Sequence, residues 1–150
     1  MKAFVLDVDG VLTDGRYYYT EKGKIMKAFG ADDNDALKML RGKIEISFVT
    51  GDERGFMISK RRVNDMGYCL EIVPVAERIK WMKERWDLKD VIYMGDGILD
   101  PPVLKAVGYS ICPSDGFYKA RGVANYVTQH GGGHRAVAEA CLHVQEKFGL

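Results

Sequence analysis

The sequence predicts a three-layer α/β fold: a central parallel β-sheet covered by helices on both faces. Three observations predict it. Short apolar runs alternate with longer amphipathic stretches along the chain, the pattern of strands joined by crossover helices. The 150 residues contain no low-complexity linker and no internal repeat, so one domain over 1–150 with one core is expected. Acids, threonine and glycine cluster where three of the apolar runs end, and ligands in such folds sit at the carboxyl ends of strands.

The elements follow in order. Residues 3–6, Ala-Phe-Val-Leu, read as a buried strand. Residues 17–19 and 25–29, around Glu21-Lys22-Gly23-Lys24, read as a β-hairpin. Residues 33–41 are helical, with Ala36, Leu37 and Leu40 on one face, and 44–49 form a second core strand. A helix over 53–66 ends near Gly67, and 69–73 is a short strand. The helix over 75–86 carries the apolar stripe Ile79, Met82 and Trp86. A strand at 91–94 precedes a short helix at 101–107, which Pro101 can open. Strands at 109–112 and 126–127 and a helix over 134–147 complete the chain. The sum is a Rossmann-like three-layer sandwich with a small β-hairpin extension and no large cap domain. Right-handed crossovers would bring the three polar strand ends to one rim.

Composition narrows the function classes. The formal net charge is +1, which provides no global basic field to recruit nucleic acid. Nowhere do about 18 consecutive apolar residues occur, so no membrane span is expected. Cys69, Cys112 and Cys141 form no CxxC pair, so a zinc site is not expected, and free thiols suit a reducing compartment. The first residues do not resemble a signal peptide. These bounds point to a cytoplasmic protein that captures an anionic small molecule locally.

The three polar clusters carry the chemistry. In Asp7-Val8-Asp9-Gly10, two carboxylates one residue apart raise each other's pKa unless a cation intervenes. A hard divalent ion such as magnesium takes oxygen ligands and resolves the repulsion. The bland alternative is that Asp9 caps the next turn and Asp7 is solvated. Thr50-Gly51 places a hydroxyl and a glycine amide beside a helix amino end, a phosphate grip, though threonine also serves as a plain helix cap. In Gly95-Asp96-Gly97-Ile98-Leu99-Asp100, Asp96 can complete a metal site and Asp100 can hold the loop or the metal's waters. Alone, that segment also reads as a simple turn.

Taken in this order, the three segments resemble the haloacid dehalogenase superfamily, over residues 3 to about 143. DVDGVLTDG at 7–15, the hairpin followed by Lys27-Ala28-Phe29, and Gly131-Gly132-Gly133 with Ala136-Val137 and Glu139 are similar to its cap-less subgroup. That subgroup acts on sugar-acid phosphates, of the 3-deoxy-D-manno-octulosonate 8-phosphate or nine-carbon acid type. The resemblance implies a phosphatase in which Asp7 attacks phosphorus, forming an aspartyl-phosphate. Asp9 then protonates the leaving alcohol and activates water, while Thr50 and Gly51 hold phosphate. Magnesium would be held by Asp7, the Asp9 carbonyl and Asp96, with Asp100 behind them. It also implies a homotetramer in which hairpins pack together and close neighbouring sites, because a chain with no cap needs something to exclude water.

The sequence departs from this pattern in places. A lysine is expected near the start of the helix before the fourth motif. Glu77 or Arg78 stands there, with Lys80 close by. Arg78 can do the electrostatic job, since an arginine fork suits phosphate, and Lys80 is second choice. The fourth motif reads GDG where the subgroup usually has GDD. Residues 30–34 occupy a segment where relatives contact substrate, which makes Asp33 and Asn34 candidate binding residues. Asp32 and Asp52 replace positions where a basic residue is usual, weakening the grip on a substrate carboxylate, with Lys38, Arg54 and Arg62 as replacements. Tyr17-Tyr18-Tyr19 can stack on a sugar or meet a neighbouring subunit, since alternate tyrosines point to opposite faces. His130 and His134 flank a glycine run, but the acids already explain a metal. The altered positions leave a second reading open: a weakly active or non-catalytic assembly module, like the extra domain of some sialic acid cytidylyltransferases. A response-regulator receiver also groups acids with a threonine, but here the later strand ends in Thr50 rather than in an acid.

Overall fold

The apolar run after Lys2 becomes β1 (Ala3–Asp7), buried along its whole length, in a computed structural model that describes residues 1–150. The chain continues through the hairpin strands β2 (Tyr18–Thr20) and β3 (Gly23–Met26), α1 (Asp32–Leu40), β4 (Glu45–Thr50), α2 (Phe56–Asp65) and β5 (Leu70–Ile72). It then forms α3 (Val75–Lys83), a 3-10 turn (Leu88–Asp90), β6 (Val91–Met94) and α4 (Pro101–Ala106). The last elements are β7 (Tyr109–Cys112), α5 (Tyr118–Arg121), β8 (Tyr126–Val127) and α6 (Ala136–Phe148). Six strands make one parallel sheet in the order β5-β4-β1-β6-β7-β8, while β2 and β3 pair only with each other, antiparallel.

Strand order dictates where the helices go. From β1 the chain adds β4 and β5 on one side, then returns to add β6, β7 and β8 on the other. With crossovers of one hand, reversing direction moves the helices to the opposite face. The two cores show this. Phe4, Leu6, Ile92 and Met94 pack with Leu37 and Leu40 of α1, Val63 of α2 and Val137, Ala140 and Val144 of α6. Ala3, Val5, Val91 and Tyr93 pack with Met82 of α3, Val103 and Leu104 of α4 and Ala120 of α5. Successive residues of β1 therefore alternate between two dry layers, as strand geometry requires. Each fully buried leucine, such as Leu37 or Leu40, contributes roughly 1.5–3 kcal/mol. Reversal of strand order at β1 and β6 opens a crevice at their carboxyl ends. No helix is long and apolar enough to cross a membrane.

Element boundaries differ from the sequence expectation for local reasons. The helix expected from 53 starts at Phe56, because the Asp52 carboxylate accepts the Gly55 amide at 3.1 Å and holds 52–55 in a turn. The helix expected over 75–86 stops at Lys83, yet Trp86 still packs on the second core. The terminal helix starts at Ala136 because Arg135 takes a left-handed conformation, φ +77°. The hairpin's second strand runs from Gly23 to Met26 rather than over 25–29. The 3-10 turn and α5 are too short to leave a periodic trace in the sequence.

One expected substrate residue is structural instead. Asp33 is buried, and its Oδ1 accepts the Ala138 amide at 2.9 Å. Ala138 is the third residue of α6, whose N-cap, Arg135, makes no side-chain cap. Asp33 thus caps a helix that starts a hundred residues later, and burial raises its carboxyl above the usual range. Asp33→Ala should lower stability by about 1 kcal/mol, a melting shift of about 2–4 °C. Thermal unfolding checks this. A rise in KM with unchanged melting would restore a substrate role.

Candidate active site

The loop leaving β1 is wound tightly. The Val8 carbonyl accepts the amides of Val11, Leu12 and Thr13, and Thr13 Oγ1 accepts those of Gly10 and Gly15, each at 3.1 Å. Gly10 has φ +83°, and a Cβ there would lie 2.0 Å from Asp96 Oδ2. Only glycine lets the loop after β1 press against the loop after β6, and that contact brings Asp7 and Asp96 together.

Asp7 ends β1 and is 7% exposed. Its Oδ1 accepts the Val8 amide at 2.8 Å. Arg78 reaches it from α3 as a fork, Nη1 to Oδ2 at 2.7 Å and Nη2 to Oδ1 at 3.2 Å. The guanidinium is itself 1% exposed and is braced by Nε donating to the Val73 carbonyl at 3.2 Å. Nη1 also meets the Tyr93 hydroxyl and lies 3.4 Å from Asp100 Oδ1. Tyr93 in turn donates to Asp100 Oδ1 at 2.6 Å, and the Gly97 amide donates to Asp100 Oδ2 at 2.7 Å.

Carboxylate oxygens of Asp7, Asp96 and Asp100 lie within 4.8 Å of one another. One guanidinium does not balance three acids in so dry a place. Burial drives the Asp7 carboxyl up to about 6 despite Arg78 beside it, with Asp100 adding to the rise. Burial, then the charges of Asp7, Asp100 and Asp115, drives Asp96 up to about 8. An all-oxygen donor set carrying surplus negative charge suits a hard divalent cation.

Asp9 is held by a different network. Its Oδ1 lies 2.6 Å from the ammonium of Lys27, and Thr50 donates to its Oδ2 at 3.2 Å. Lys27 also meets Asp52 Oδ2 at 2.8 Å, and Lys24 meets the same oxygen at 2.6 Å while lying 3.4 Å from the Tyr17 ring centroid. Burial alone would raise Asp52, but the two ammonium groups and the Gly55 amide outweigh it and hold the carboxyl down at about 2. Two adjoining cavities open over these groups, of about 440 and 260 Å³, and both are lined by Asp7, Asp9, Tyr17 and Val75. Gly51, Arg54 and Arg78 line the larger, and Asp96 and Asp100 the smaller.

The structure therefore brings together Asp7, Asp9, Thr50, Gly51, Arg78, Asp96 and Asp100. It places four other candidates elsewhere. Lys80 is exposed and lines a separate groove with Glu71, Glu77 and Trp81, because the position two residues after Arg78 on a helix faces away from it. Arg62 donates to the Gly30 carbonyl at 2.8 Å and so pins the link between hairpin and α1. Asn34, with its Oδ1 buried and unpartnered, lines neither cavity. Asp33 caps α6. Lys27, Tyr93 and the pairing of Asp52 were not foreseen. Tyr93 left one signal: a tyrosine inside an apolar strand needs a partner for its hydroxyl. Lys27 left none.

Strand order and paired acids at the end of the central strand define a hydrolase of the haloacid dehalogenase superfamily. No protein-family model matches the chain. Among curated proteins, 3-deoxy-D-manno-octulosonate 8-phosphate phosphatase of Salmonella typhi is 31% identical over 151 residues, covering 94% of this chain and 77% of its own. The Yersinia pestis enzyme of the same name is 29% identical over 157 residues, covering 99% of this chain and 83% of its own. Among solved structures, the Moraxella catarrhalis phosphatase in complex with a magnesium ion, a phosphate ion and a KDO molecule superposes with TM-score 0.84 at 28% identity. That match covers 97% of this chain and 86% of the other. A putative phosphatase of this name from Vibrio cholerae superposes with TM-score 0.86 at 31% identity, over 100% and 87% of the two chains. The chain belongs to the 3-deoxy-D-manno-octulosonate 8-phosphate phosphatase family of that superfamily.

The raised carboxyls have a consequence for stability. Unfolded aspartates titrate near 3.8, whereas Asp7 and Asp96 keep protons up to about 6 and about 8 in the folded chain. Between these limits the native state binds more protons than the unfolded state, so stability falls as pH rises through the window. In chelator, the unfolding free energy from urea titrations should decline from about pH 4 to about pH 8, by on the order of a few kcal/mol. Asp96→Asn should flatten the upper part of that decline. A free energy that rises across the range would show that the acids are compensated otherwise.

Proposed function

We propose that residues 1–150 act as one hydrolase domain, a magnesium-dependent phosphatase that cleaves the phosphate monoester of a sugar acid through an aspartyl-phosphate on Asp7. The substrate would be of the 3-deoxy-D-manno-octulosonate 8-phosphate or nine-carbon acid type. One observation carries the reading: Asp7 lines the cavity with its carboxylate aligned by both arms of the Arg78 fork, and a second acid stands two residues on. An oxygen of Asp7 attacks phosphorus, and the bond from phosphorus to the ester oxygen breaks. That oxygen takes a proton from Asp9 and leaves as the alcohol. Water then gives a proton back to Asp9 while attacking the aspartyl-phosphate, which releases phosphate and restores Asp7. Arg78 offers charge to the transferring group as well as to Asp7. Thr50 steadies Asp9, and Gly51 lines the phosphate side of the cavity. Asp7, Asp96 and the Asp9 carbonyl would hold magnesium, with Asp100 behind them, and the ion would neutralise charge on the phosphoryl group.

Convergence of all six catalytic and metal candidates supports an enzyme over an assembly module. The acids that weaken the case for a substrate carboxylate are compensated: Asp32 pairs with Arg135 at 2.6 Å, and Asp52 with Lys24 and Lys27. Arg54, which makes no ion pair within the chain, lines the same cavity and suits an anionic substrate. The relatives named for this chemistry, and the Moraxella structure holding magnesium, phosphate and a KDO molecule, agree with it. A cytoplasmic setting belongs to the same reading, with Cys69, Cys112 and Cys141 as free thiols.

Hydrolysis of p-nitrophenyl phosphate tests the chemistry. It should require magnesium, vanish with chelator and fall to background in Asp7→Asn. Calorimetry should show weaker magnesium binding in Asp96→Ala. Turnover by Asp7→Asn near the parent rate would sink the mechanism.

A homotetramer is part of the proposal. The hairpin leaves Tyr17, Tyr18, Tyr19, Ile25 and Met26 between 40% and 58% exposed. Tyrosine and methionine favour interfaces, and a lone two-stranded hairpin is marginal in water. Light scattering should give close to four times the 16.8 kDa chain mass. A monomer at micromolar concentration, or a tetramer that survives loss of the hairpin, would refute it.

A further inference from the structure

Lys27 has no part in the steps above, yet it is the most completely enclosed lysine near the site, its side chain 0% exposed. Three groups surround its ammonium: Asp9 Oδ1 at 2.6 Å, Asp52 Oδ2 at 2.8 Å and Ser59 Oγ at 2.8 Å. Ser59 accepts a hydrogen bond from it, while the two carboxylates face it as ion pairs that compensate the buried charge, and Asp9 Oδ1 accepts no hydrogen bond. Two of the three are fixed in turn. Asp52 is held by Lys24 and by the Gly55 amide, and Ser59 sits buried within α2. A Cβ on Gly55 would lie 2.8 Å from Lys27 Cε and 2.2 Å from Asp52 Oδ2, so a larger residue there would push these side chains out of place. Lys27 is thus a strut anchored at the start of α2, with the Asp9 carboxylate at its free end.

On Asp9 the two oxygens are unlike. Oδ1 faces Lys27 and is closed to solvent. Oδ2 has the Thr50 hydroxyl alone, at 3.2 Å, so it is the oxygen left for exchanging a proton with a leaving alcohol. We propose that Lys27 is a positioning residue for Asp9: it clamps Oδ1 so that Oδ2 is aimed at the ester oxygen. Because Lys27 follows β3 directly, it also ties that aim to the seating of the hairpin. The inference rests on Asp9 acting as the general acid.

Leaving-group dependence tests it. The p-nitrophenolate ion departs without needing a proton, whereas the alkoxide of β-glycerol phosphate needs one from Asp9. The kcat/KM of each ester reports the transfer to Asp7 alone. Lys27→Met should lower kcat/KM for β-glycerol phosphate roughly tenfold to a hundredfold more than for p-nitrophenyl phosphate, the scale of a misplaced catalytic group. Lys27→Arg should recover part of that difference. Asp9→Asn is the reference and should show the same dependence. Equal losses on both esters in Asp9→Asn would overturn the reading of Asp9 as the acid, and the inference with it. If Asp9→Asn shows the dependence while Lys27→Met lowers both esters alike, or neither, the role of Lys27 is overturned and that of Asp9 stands. Should Lys27→Met fail to fold, Asp52→Ala removes the strut's anchor and is judged by the same comparison.

Discussion

The contact between Arg78 and Asp7 is the interaction on which the rest of the site depends. Asp7, Asp96 and Asp100 crowd within 4.8 Å, and Arg78 is the cation that touches this group. Breaking a buried pair by removing one partner costs about 3–5 kcal/mol, because the other charge is left without compensation. That is a large share of the roughly 5–15 kcal/mol by which a domain is stable. The contact also places secondary structure. Arg78 is drawn inward from α3 with its Nε on the Val73 carbonyl, so α3 must start immediately after β5. Tyr93 and Asp100 complete the cage, and Asp100 fixes the loop after β6 through the Gly97 amide. Charge, helix placement and loop shape are therefore one arrangement.

Steric limits make that arrangement possible. The loops after β1 and β6 touch only because Gly10 carries no Cβ. The loop before α6 lies equally close, since a Cβ on Gly132 would sit 2.0 Å from the Gly10 carbonyl oxygen. The Gly132 amide donates to Asp115 at 2.9 Å, and the Asp115 charge is one of those that raise Asp96. The glycine run near the end of the chain thus belongs to the same rim as the first motif, although more than a hundred residues separate them.

Much of this was legible in the sequence, and the parts that were not share a cause. Alternating apolar runs specified the sheet and its order of elements, because burial on two faces leaves a strong trace. Asp7, Thr50 and Asp96 were legible because each ends a strand or lies two residues beyond one, where topology fixes the rim. Arg78 was legible only as one of several charges on a helix, and three-dimensional placement separated it from Lys80. Asp32, Asp33, Asn34 and Asp35 look alike as a polar run. Yet Asp33 is buried as the cap of α6, while Asp32 pairs with Arg135 at the surface. What distinguishes them is a contact with residues a hundred positions away, which no local pattern encodes. Lys27 was hidden for the same reason: its partners come from the first loop, the turn after β4 and α2.

Two acids can share one short loop because each is compensated from a different side of the sheet. Arg78 approaches Asp7 from α3, in the layer packed on Ala3, Val5 and Tyr93. Lys27 approaches Asp9 from the hairpin and is anchored on α2, in the layer packed on Phe4 and Leu6. The two networks have separate partners: Arg78 binds Tyr93 and Asp100, and Lys27 binds Asp52 and Ser59. Neither acid has to share its cation with the other, so in the mechanism proposed above one is held for attack and the other for proton transfer. Separation of this kind lets carboxylates two residues apart in sequence take unlike roles, where a single shared cation would couple their charges.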